Sequence, residues 1–150
     1  MTQKEQLQKL FKAACNFDIP KAAEAIQAGA DVNAKDESHL TPLHYATITH
    51  AIGVAQFLIE KGAKVNAKDH HQMTPLHYAA QAGFVDVAKL LLEKGAKLYV
   101  RNDKGQTPRQ EAVHNGRTEL VSLLSAAAKR KSGHAERLDE GRKQSDRKIG

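Results

Sequence analysis

The chain has 150 residues, 41% hydrophobic, 27% charged and 5% aromatic with no Trp, so it holds one domain, or a domain with a short appendage, and a core of Leu, Ala, Val and Ile. The net charge of +6 is unevenly placed: residues 1–128 carry 15 Lys and Arg against 13 Asp and Glu, whereas residues 129–150 carry 8 against 4. No apolar run is long enough to span a bilayer, Met1 to Lys12 lacks the apolar stretch of a secretory signal, and a lone Cys15 forbids an internal disulfide.

In chain order, residues 3–35 read as a divergent first unit. Leu10 and Ala13 stand where Leu43 and Ala46 stand later, without the Thr-Pro and His. Residues 36–68 carry Thr41-Pro42-Leu43-His44-Tyr45-Ala46, and residues 69–101 repeat it, 33 positions on, as Thr74-Pro75-Leu76-His77-Tyr78-Ala79. Residues 102–128 hold the weakened form Thr107-Pro108-Arg109-Gln110-Glu111-Ala112. Gly29-Ala30, Gly62-Ala63 and Gly95-Ala96 keep the same step of 33, as do the Val-Asn-Ala-Lys-Asp stretches ending at Asp36 and Asp69. Independent motifs on one period predict a stacked array in which the end units are more polar on their outer side. Gln3, Lys4, Gln6 and Gln8 fit that role at one end, and Arg109, Gln110 and Glu111 at the other.

Each central unit reads as two short helices. Thr74 is a good N-cap and Pro75 suits the first turn, where a missing N–H costs nothing. The first helix ends near Gly83; the second follows the apolar pattern Val85, Val87, Ala88, Leu90, Leu91, Leu92 and stops at Gly95. Helices this short are marginal alone in water, so stacking must stabilise them, with Leu91 buried between units. The polar segment from Val65 to Met73 suits a projecting turn.

These motifs resemble the ankyrin repeat over roughly residues 3–128. The resemblance implies an all-α solenoid of helix-turn-helix units with projecting hairpin-like fingers, working as a monomeric, non-catalytic, cofactor-free module that binds a partner protein. Family members commonly carry Gly two residues before the Thr-Pro; Gly105 matches, but His39 and Gln72 stand there in the central units, which predicts reshaped or strained fingertips. In the family, Asn at the place of Asn33 and Asn66 can be hydroxylated; the residues themselves favour an amide that braces the turn to the next unit.

The chemical candidates are weak. His44 and His77 recur at one place in two repeats, which favours a buried hydrogen-bonding role. His39, His70 and His71 fall on the fingers, where side chains of adjacent units are too far apart for a shared metal ion. Cys15 lies near a helix C-terminus, the wrong end of the dipole for a reactive thiolate. The tail from Lys129 offers an alternative, nucleic-acid or acidic-partner binding, or a mobile solvated terminus. The lone thiol and missing signal favour a cytoplasmic location, and a nuclear or host-directed one is compatible with the same features.

Units two and three share 15 identities, and their differences cluster on the finger and at the end of the first helix. Positions free of the packing rule are available for recognition. The expected contacts are Leu40, His70, His71, Met73 and Lys104 on the fingers. Tyr45, Ile48, Thr49, Tyr78, Gln81 and His114 are expected on the first helices, with no catalytic or metal-binding residue. Leu40, Ile48 and Met73 are read as apolar residues without a packing duty.

Overall fold

The computed structural model describes residues 2–131. Seven helices run α1 (Gln3–Cys15), α2 (Ile19–Gln27), α3 (Pro42–Ile48), α4 (Ile52–Glu60), α5 (Pro75–Ala82), α6 (Val85–Glu93) and α7 (Pro108–His114). An eighth, α8, is helical over 118–131. The described residues contain no strand, and none of their helices is long and apolar enough to cross a membrane. The odd-numbered helices pack in sequence as one layer, and α2, α4 and α6 pack beside them as the second.

The first helices start where the sequence places their caps. Thr41, Thr74 and Thr107 each accept the N3 backbone N–H, and the N3 side chains of His44, His77 and Gln110 reach back to the Thr N–H. In the first unit the N-cap is Thr2, paired with Glu5 in a capping box, and the helix runs for 13 residues. Both helices of the first three units, and the first helix of the fourth, close on left-handed corners. At the first-helix end the positive φ falls at Phe17, His50, Gly83 and Gly116, each 33 residues apart. Just after these corners, the N–H groups of Asp18, Phe84 and Arg117 donate to the carbonyls of Ala13, Ala79 and Ala112 at 2.8–3.0 Å, satisfying helix ends that would otherwise be orphaned.

Leu43, Leu58, Leu76, Leu91, Leu120 and Leu124 are fully buried, with Ala46, Ala79 and Ala112 allowing the first helices to approach closely. Leu91 is buried, as expected of it. Asn33 and Asn66 also act as read: each amide donates to the carbonyl of Gly62 or Gly95 at 3.0 and 3.1 Å and accepts from Lys64 or Lys97 at 2.7 and 2.8 Å.

Two expectations need correction. Glu111 is not a solvent-facing cap residue: it is 5% exposed, because Asn102 donates an amide hydrogen to it at 2.8 Å. The body also does not end at residue 128, since α8 continues through residue 131. The remainder of the predicted tail, and with it most of the nucleic-acid alternative, lies outside the described residues.

Candidate partner-binding face

Each finger is organised by one side chain at its base. Asp36 Oδ1 accepts the N–H groups of Ser38 and Leu40, and Asp69 Oδ1 those of His71 and Met73, all at 2.9 Å. Asn102 Oδ1 does the same for Lys104 and Gln106 at 3.0 Å. The second carboxylate oxygen of Asp36 accepts from the Tyr45 hydroxyl, and that of Asp69 from Tyr78. Burial, then the bond to Asp36, pushes the Tyr45 hydroxyl up to about 12; the same causes push Tyr78 up as well. In the last unit the pair is inverted, with Asn102 donating and Glu111 accepting.

The buried histidines tie finger to finger. Nδ1 of His44 faces the Thr41 N–H at 3.1 Å, and Nε2 lies 2.9 Å from the Met73 carbonyl in the next unit. His77 repeats this with Thr74 and the Gln106 carbonyl. The geometry makes Nδ1 the acceptor and Nε2 the donor, a neutral imidazole, and burial lowers both pKa values below the ordinary histidine range. Backbone bonds at 3.0 Å, from His70 N–H to Ser38 and from Asp103 N–H to His71, join neighbouring fingers. His39 and Gln72 keep the left-handed corner at φ of 62° and 60°, against 73° at Gly105. The fingertips are therefore strained, by about 1–2 kcal/mol each, and not reshaped.

The structure brings some of the expected contacts together. His71, Tyr78, Gln81 and Lys104 line one shallow groove of about 290 Å³ between the last two fingers and the first helices. Asn102, Asp103 and Glu111, not singled out from sequence, line it too, and His71 Nδ1 stands 3.2 Å from Asp103. The cue to Asn102 and Glu111 was their register with Asp69 and Tyr78. Met73 lines it as well, and the remaining expected contacts do not. Ile48 and His114 are exposed and share the register of Gln81 on successive first helices, and His70 is exposed at the fingertip. Leu40 and Tyr45 are half-buried, Tyr45 meeting Phe11 edge-on at 5.5 Å. Thr49 is half-buried, its hydroxyl donating to the Tyr45 carbonyl at 2.8 Å.

Met73 corrects the sequence reading. It is 6% exposed, its N–H held by Asp69, its carbonyl by His44, and its sulfur 3.2 Å from the Asn102 amide. It packs between fingers and reaches the floor of the finger groove with only that small exposed fraction. A second groove of about 600 Å³, lined by Lys4, Leu7, Phe11 and Glu37 among others, lies between α1 and the first finger and has no counterpart in the sequence reading. Among the described residues no group of three or more His, Cys, Asp or Glu could hold a metal ion. Burial pushes the Cys15 thiol up, the reverse of an activated nucleophile.

A family model described as ankyrin repeats in three copies matches residues 10–102, and another, described as ankyrin repeats in many copies, matches residues 85–124. No curated protein matches the chain.

Proposed function

The chain belongs to the ankyrin-repeat family, whose members are generally non-catalytic protein–protein interaction modules, and from that premise we propose that it binds a partner protein, as a monomer, across its fingers and first-helix face. The observation that carries this reading is the groove shared by His71, Tyr78, Gln81 and Lys104. Its walls are preorganised: Tyr78 is locked to Asp69, and Asn102 to Glu111, so little side-chain freedom remains to be lost on binding. Ile48, 40% exposed in the same register as Gln81, extends the contact strip with an apolar residue that the stack does not need.

The test separates binding from folding. Once a partner is captured with the full chain, Gln81→Glu, Lys104→Glu and Ile48→Glu should each weaken its binding about tenfold or more while leaving the melting curve unchanged. Wild-type affinity in all three would remove this face as the binding site.

A further inference from the structure

The second helices of the first three units stop at Gly29, Gly62 and Gly95, with φ of 103°, 96° and 97°. One repeat later stands Ala128, and α8 runs on through residue 131. Alanine is the best helix former and enters the left-handed corner only with strain, so the helix passes the point where its predecessors turn. The overrun opens a groove of about 380 Å³ between α6 and α8, lined by Lys89 and Leu92 on one side and Leu123, Ala127, Arg130 and Lys131 on the other. Leu92, Leu123 and Ala127 are half-buried against the core and form an apolar floor. Lys89, Arg130 and Lys131 are exposed on the rim, and Glu93 is the sole carboxylate among the lining residues. None of the three cations forms an ion pair among the described residues.

We propose that this groove docks an acidic amphipathic helix of a partner protein, with its apolar stripe on Leu92, Leu123 and Ala127 and its flanking carboxylates on Lys89, Arg130 and Lys131. An apolar floor between cationic rims is complementary to a helix with an i, i+3, i+7 apolar stripe and acidic flanks. A nucleic acid is a poorer match, since the floor has no aromatic ring on which a base could stack. The groove shares no residue with the finger groove, so the two readings stand or fall separately.

The experiment titrates the full chain into three labelled probes and follows fluorescence anisotropy. The first is a helical peptide of about four turns with a Leu stripe flanked by Glu; the second is its scramble of equal composition; the third is a single-stranded oligonucleotide. The striped peptide should bind about tenfold or more tighter than the scramble. The triple variant K89E/R130E/K131E, checked for an unchanged melting curve, should lose about tenfold or more, and R130E alone a smaller part of that. A striped peptide with Lys in place of Glu should bind the triple variant better than it binds the wild type. Equal binding of stripe and scramble, tighter binding of the oligonucleotide, or no binding of the striped peptide overturns the proposal. So does a concentration-dependent dimer that the triple variant abolishes, which would assign the groove to a second copy.

Discussion

The imidazole of His50 lies flat on the ring of Phe84, with centroids 4.0 Å apart and planes 7° from parallel. Its Nε2 stands 2.8 Å from Asp86 in the same neighbouring unit. His50 occupies a left-handed corner where Gly83 and Gly116 stand in later units, so this inter-unit contact offsets a backbone penalty. Phe17 has the same corner but is 60% exposed. Phe17→Gly should therefore raise stability by about 1 kcal/mol, while His50→Gly should gain nothing or lose stability. Denaturant midpoints of the two variants measure the difference; equal stabilisation by both would show that the His50 stack contributes nothing.

Acid should loosen the stack at the histidine ties. Burial lowers the pKa of His44 and His77, so the unfolded chain takes up protons before the folded one does. Stability is then fully present above about 6.5, the ordinary histidine value, and falls as pH drops from there through the lowered folded values. Asp86 adds a loss at lower pH: burial opposes ionisation, but the bond and charge of His50 and the backbone N–H groups at Val87 and Asp86 together outweigh it and hold the carboxyl below its ordinary range. Melting temperature measured from pH 7.5 to 5 should decline, and His77→Gln should flatten that decline while lowering the value at pH 7.5. Gln110 shows that glutamine can supply the cap alone, accepting from Thr107 N–H at 2.9 Å. A melting temperature independent of pH over this range would contradict the neutral, buried imidazoles.

The inverted pair at the last finger makes a sharper test. Asn102→Asp alone would remove the amide donor and set a carboxylate against the buried Glu111, costing about 2–3 kcal/mol. Adding Glu111→Tyr recreates the pairing of Asp69 with Tyr78 and should recover most of the loss. Chemical denaturation of wild type, both single variants and the double variant gives the coupling energy directly. A coupling near zero would mean that the finger base and the helix act independently.

Core residues should fail through unfolding. Leu91→Ala and Met73→Ala are each expected to cost about 2–5 kcal/mol, since both side chains are almost wholly enclosed. Thermal melts with and without partner then distinguish them from Ile48→Glu. A cost below about 0.5 kcal/mol at Leu91 would contradict its burial in the core.

The repeat register makes most of the architecture legible. Leu43, Leu76, Leu58 and Leu91 are readable as core because a stack needs the same apolar residue at each step. Met73 escapes that logic because its burial comes from the neighbouring finger, and no periodicity within its own unit reports on that neighbour. The corners at Phe17 and His50 are hidden because neither residue type favours positive φ; only their step of 33 from Gly83 gives them away. The extension of α8 has its signal at Ala128, one repeat after Gly95, where a stop would need glycine. Which face meets a partner is less legible, because exposure depends on how fingers lean on helices, which composition does not encode.

The bracing bonds of Asn33 carry a consequence for the length of the protein itself. Among the described residues the side-chain hydrogen bonds between units span 29 to 36 residues, so each joins neighbouring units. Residues 36–68 are in that sense a cassette. If they were spliced out, Lys35 would join Asp69, Asn33 would meet the Gly95 carbonyl and Lys97 amide that Asn66 now holds, and Phe11 would meet Tyr78 in place of Tyr45. The shortened chain should still fold, with helical circular dichroism reduced by one unit's share and a lower melting point, because one nearest-neighbour interface has gone. The number of units is thus an adjustable quantity in this molecule, set apart from the chemistry that joins them.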